Sequence, residues 1–146
     1  MNLSKNTKIS TAITPTAGVA GTSDINGSTL DMADWEGVLM ICRMGAITAL
    51  AVTSIKAQQG AASDLSDAAD LEGTGQTVAD DDDDETFYID IYQPRERYVR
   101  LVVDRGTQNA VVAAANYIQY GPRKAPTTHG SGVSGETHVS PAEGTA

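Results

Sequence analysis

The side chains with the most chemical potential in this 146-residue chain fall into three groups. Asp80, Asp81, Asp82, Asp83, Asp84 and Glu85 form an unbroken acidic run, and Arg95, Arg97 and Arg100 follow soon after it. Cys42, His129 and His138 stand apart from both. The acidic run holds enough oxygen for a hard cation such as calcium. It lacks the spaced Asp-x-Asp-x-Asp-Gly order that wraps a loop around the ion. The same residues read as a solvated loop kept open by its own repulsion and able to meet a basic patch on a partner. The three arginines could clamp phosphate or carboxylate groups, pair with this chain's surplus carboxylates, or face a neighbouring subunit.

Cys42 ends the apolar run Val38, Leu39, Met40, Ile41, where a buried thiol with no activating neighbour is expected to be inert. A lone cysteine forms no intrachain disulfide. His129 and His138 are nine residues apart, with Glu136 the one further ligand type nearby, a poor arrangement for zinc. The chain has no Gly-x-Ser-x-Gly elbow, His-Glu-x-x-His pair, Walker loop or dinucleotide fingerprint. The expectation is therefore a protein that is not an enzyme, with no catalytic residue, no metal site and no cofactor. Trp35, between Asp34 and Glu36, reads as a core lid or as an interface anchor.

The charge excludes some partners. The formal net charge is −9, and between Lys56 and Arg95 there are eleven acidic residues and no basic one. Such a chain gains nothing from counterion release on a phosphate backbone, so direct nucleic-acid binding is not expected. No apolar run is long enough to span a bilayer, and the first residues lack the apolar stretch of a secretion signal, so a soluble chain without a membrane partner is expected.

The elements that must position these groups read as strands. In residues 86–92, Phe87, Ile89 and Ile91 alternate with Tyr88, Asp90 and Tyr92, the pattern of a half-buried strand. After a corner at Pro94 to Arg97, Val99, Leu101 and Val103 alternate with Tyr98, Arg100 and Val102, which places Arg100 outward. Residues 37–44 are nearly all apolar, which suits a central strand covered on both faces. Residues 8–14, 29–32 and 52–59 read as further strands. Residues 109–120 read as a last strand, with Val112, Ala114, Ile118 and Tyr120 on one face, although the alanines also allow a helix. Residues 60–71 allow a helical turn, and 72–84 read as an exposed loop.

About seven strands and no long helix predict an all-β, antiparallel β-sandwich. A jelly roll is preferred, with an immunoglobulin-like order still open. The expected organisation is an N-terminal strand or arm at 1–28, the sandwich at 29–121 and a polar tail at 122–146. Both ends are expected to be extended and flexible.

With Ser54-Ile-Lys-Ala-Gln-Gln59, the strand pair at 86–105, Tyr117-Ile-Gln-Tyr-Gly-Pro-Arg-Lys124 and His138-Val-Ser-Pro-Ala-Glu-Gly-Thr-Ala146 in view, the chain resembles the capsid cement, or decoration, proteins of tailed bacteriophages. The resemblance implies a small β-sandwich, made in the bacterial host cytoplasm, on the outer capsid surface of the virion. Its partners would be the major capsid protein and itself, as dimers or trimers at local symmetry axes. On that reading Arg95, Arg97, Arg100 and Asp80 to Asp84 belong to protein interfaces. The acidic run departs from the family's familiar members. Other phage structural roles, in the tail tube, tail tip or head-tail joint, and a carbohydrate- or calcium-binding sandwich module are the alternatives.

Overall fold

The computed structural model describes residues 2–145. A single helical turn, α1 (Leu3–Asn6), leads into β1 (Thr7–Ile13), β2 (Ile25–Asn26), β3 (Leu30–Asp31), β4 (Trp35–Ile47) and β5 (Val52–Gly60). Then come β6 (Ala69–Asp70), β7 (Gln76–Val78), β8 (Thr86–Tyr92), β9 (Tyr98–Gly106) and β10 (Ala110–Pro122). Every pairing is antiparallel.

The strands form two sheets. The first runs β1-β10-β4-β8; the second runs β2-β9-β5-β6, with β3 also on β9 and β7 also on β5. β2 with β3, and β6 with β7, each act as one interrupted strand along a longer neighbour. Two four-strand-wide layers result, in the order of a jelly-roll sandwich. The corner at Pro94 to Arg97 therefore joins strands of different sheets: β8 pairs with β4, and β9 with β5.

The core lies between the layers. β4 contributes Val38, Met40, Cys42 and Met44; β9 contributes Val99, Leu101 and Val103; Ile55 and Ala57 come from β5, and Tyr117 from β10. Several of these are Val, Ala or Met, so the aromatic content is concentrated in Tyr117, with Trp35 and Phe87 packed at the margin. Trp35 is thus a half-buried lid. Cys42 is fully buried, and burial pushes its thiol up to about 12.

Tyr117 ties the layers together. From β10 its hydroxyl crosses the core, accepts the Leu101 N–H of β9 at 2.9 Å and donates to the Ser28 carbonyl at 2.9 Å. Leu101 already accepts from the Gly27 N–H, in the gap between β2 and β3. The tyrosine thus supplies the acceptor that an unbroken strand would have offered.

Two bulges change the expected faces of β10. Its register on β4 shifts between Ala110 and Val112 and again between Val112 and Ala114. Beyond them Ala115, Tyr117 and Gln119 point inward, and Ile118 and Tyr120 point outward, opposite to strict alternation from Val112. The residue range holds as a strand, and its alanines do not make a helix. Residues 60–71 form turns and β6 with no helical turn, because Ala61 and Ala62 donate their N–H groups to the Asp67 carboxylate.

Both ends are more built in than a pair of free arms. β1 is an edge strand of the first sheet, and residues 25–26 pair with β9, so the fold does not break at residue 28. Arg105 holds the intervening loop, donating to the carbonyls of Val19, Ser23 and Ala110. After β10 the chain turns back along the open edge of β1 as a strap. Thr127 donates to the carbonyls of Lys5 and Thr7, Gly130 donates to Ile9, and the Ile9 N–H donates to His129 Nδ1 at 3.1 Å. The strap covers an edge that would otherwise offer its backbone to another chain.

Candidate interaction surfaces

The acidic run closes the connection from β7 to β8, and its carboxylates do structural work there. Asp83 accepts the Ile47 N–H at 2.6 Å, Asp80 accepts the Leu50 N–H, and Asp82 accepts the Ala79 N–H at 2.7 Å. An expected open, self-repelling loop is instead a tied turn, because these backbone donors absorb three of the charges. Asp81, Asp84 and Glu85 remain exposed at its tip. Among the described residues, no group of three or more His, Cys, Asp or Glu side chains is disposed to hold a metal ion.

The three arginines do not act together. Arg97 makes a two-point contact with Asp31, at 2.9 and 2.7 Å, which holds the Asp31 carboxyl below the usual carboxylate range. Its guanidinium also lies 5.2 Å from the centre of the Tyr98 ring. Arg100 faces outward as alternation requires, but its Nε donates to Gln58 at 2.8 Å. It belongs to a polar lattice on the second sheet, in which Gln58 donates to Asp70 and Lys56 bridges Asp70 and Asp104 at 3.1 Å each. Its expected availability to a neighbour is reduced accordingly. Val102, expected outward, is also buried, surrounded on this face by Arg100, Asp104, Lys56 and Asn26. Arg95 is exposed at the corner and, among the described residues, has no ion-pair partner.

The histidines separate. His129 belongs to the strap, whereas His138 lies beyond it, 3.0 Å from Glu136.

The outer face of the first sheet is the surface that residue patterns missed. Register places Ile9, Ile118, Leu39 and Asp90 in one row across the four strands, and Thr11, Asn116, Ile41 and Tyr88 in the next. Leu39, Ile41 and Ile118 are half-buried, while Tyr88 and Tyr92 on edge strand β8 are 64% and 61% exposed. The second sheet covers only the opposite side of β4. The apolar run 37–44 was expected to be covered on both faces; within this chain it is covered on one.

Tyr120 completes the face. Its ring lies over Gly37, where any side chain would collide with it, and its hydroxyl donates to Asp90 at 2.7 Å. Burial, together with that carboxylate, pushes the phenol up to about 12. It therefore stays a neutral donor that fixes Asp90 beside the exposed tyrosines. The signal available in sequence was the outward alternation of Tyr88, Asp90 and Tyr92; the contribution of β4 and β10 depends on register and bulges.

No protein-family model matches the chain, and no curated protein matches it. Among solved structures, one similar chain is described as the crystal structure of PirA. It is 16% identical, and the alignment covers 80% of this chain and 94% of that one with a TM-score of 0.36. A likeness at that score decides nothing about function, so the functional reading rests on this chain's own surfaces.

Proposed function

We propose that the chain is a structural protein of a tailed-bacteriophage virion: a non-enzymatic capsid cement protein. It binds the outer surface of the major capsid shell and bridges neighbouring capsid subunits around the packaged DNA. The observation that carries this reading is the outer face of the first sheet, where Leu39, Ile41 and Ile118 are flanked by Tyr88, Tyr92 and Tyr120. Rigid aromatic side chains around a small apolar centre are the residue types that dominate binding energy at protein interfaces. The sequence resemblance at 54–59 and 86–146 supports the same class.

A cement needs a stiff body and repeated modest contacts. The tie through Tyr117 and the tethered acidic turn stiffen the body, so little conformational freedom is lost on docking. The exposed residues 138–145 extend beyond the strap and add reach to a neighbouring subunit. Many copies on a symmetric shell then resist internal pressure together.

The test is reconstitution. Purified protein added to DNA-filled heads that lack it should bind and raise the temperature at which they release DNA. Tyr88→Ala with Tyr92→Ala should weaken binding roughly 30-fold, about 2 kcal/mol, without unfolding the protein. Heads that neither bind the chain nor gain stability would overturn the proposal.

A further inference from the structure

We propose that the cleft around Trp35 binds the acidic turn of a second copy of this chain, so that copies join head to tail. The inference goes beyond the capsid reading and does not require it.

Trp35 lies where β4 begins and β10 ends, opposite Pro122. Two clefts open beside it, of about 540 and 500 Å³, and both are lined by Trp35, Pro122 and Arg123. Arg95 and Arg97 add to the first, Lys8 and Lys124 to the second. Arg97 is engaged by Asp31, but Lys8, Arg95, Arg123 and Lys124 have no ion-pair partner among the described residues. Carboxylates are present as well: Glu36 and Glu96 line the first cleft and Asp34 the second. Glu36 is packed over Gly121. With Arg97 taken by Asp31, the four remaining cations around the half-buried tryptophan outnumber the three carboxylates by one, a local positive excess in a chain of net charge −9.

The ligand that fits it is an acidic segment, and the chain carries one at its other end. The Asp80–Glu85 turn is fastened to Met44, Gly45 and Ile47, at the far end of β4 from Trp35. β4 is thirteen residues long, which sets the two sites about 40 Å apart. A copy therefore cannot fill its own cleft with its own turn. The turn is also prepared for docking, since Asp83 and Asp80 tie it to the amides of Ile47 and Leu50 and Asp82 accepts from Ala79, while Asp81, Asp84 and Glu85 are left exposed. Trp35 provides an apolar floor beside the cations.

A turn in a cleft is a heterologous contact, in which each copy offers a different surface to the next. It gives a closed ring if the rotation closes and an open string if it does not. The charges make it sensitive to salt.

Sedimentation velocity on the full chain tests this with two neutral variants: Arg95→Gln with Arg123→Gln in the cleft, and Asp81→Asn, Asp84→Asn with Glu85→Gln in the turn. The wild type should associate at low salt and dissociate at high salt. Each variant alone should associate at least tenfold more weakly, and an equimolar mixture should give 1:1 pairs that grow no further, since one intact cleft meets one intact turn. Circular dichroism checks folding; if the cleft variant does not fold, Lys124→Gln at an exposed position replaces it. A wild type that stays monomeric at millimolar concentration in low salt overturns the proposal. So does a variant that associates like wild type, or a mixture that forms no pairs. None of these results touches binding to a capsid, so the two proposals fail separately.

Discussion

Replacing Tyr117 with Phe removes one oxygen from the core and tests whether the two sheets are joined as described. The ring is fully buried and fits its site in either residue, so the change isolates the hydroxyl. Two partners lose it: the Leu101 N–H, in a fully buried residue, and the carbonyl of Ser28, an exposed residue whose carbonyl can turn to water. The cost is therefore dominated by one buried, unpaired amide, about 2 kcal/mol within the usual range of 1–3. For a chain of this length that corresponds to a fall of about 4–8 °C in Tm. Urea unfolding measures the energy, and hydrogen exchange locates it, because the Leu101 amide should exchange faster while amides in the middle of β4 report only the global change. Tyr88→Phe, on the exposed edge, should stay within about 0.5 kcal/mol of wild type. A Tyr117→Phe variant as stable as wild type, with Leu101 still protected, would refute the idea that this hydroxyl stands in for the missing strand.

Three further outcomes follow from the same structure. With its thiol pushed up to about 12 by burial, Cys42 should react with a disulfide reagent only as fast as the protein unfolds, so rapid labelling of the native chain would contradict its placement. Arg97 lowers the Asp31 carboxyl, so their contact stabilises the fold above the unfolded carboxylate's range, and the gain is lost as pH falls through the lowered folded value. Urea titrations should accordingly show wild type and Arg97→Gln converging in acid, with a small, salt-sensitive gap near neutrality because both side chains are about half exposed; a gap that widens in acid would be wrong. Ending the chain after Lys124 should leave the core folded but deprotect the Ile9 amide and increase self-association through the uncovered edge of β1, and unchanged exchange at Ile9 would argue against the strap.

Alternation made several strands legible and misread others for reasons that can be traced. Phe87, Ile89 and Ile91 faced inward as their spacing required, and the two-layer antiparallel order followed from strands of this kind separated by short turns. In β10 the bulges reset the faces, so Gln119 went to the core and Ile118 to the surface; a period of two cannot register an extra residue. In sequence the strap looks like a free tail, because it holds to β1 through backbone groups, Thr127 and His129 instead of an apolar pattern. The acidic run was legible as charge, but which carboxylates would meet the amides of Ile47, Leu50 and Ala79 depends on a turn that composition does not encode. The outer tyrosine face had the same difficulty, since Leu39, Ile41 and Ile118 become neighbours of Tyr88 only through sheet register.

If the chain is a repeated component of a capsid surface, as proposed, its copy number per purified particle reports it most directly. Quantitative mass spectrometry against the major capsid protein should find the chain in hundreds of copies, in fixed proportion to the shell subunits. A handful of copies per particle, as at a single vertex or a tail tip, would contradict the account.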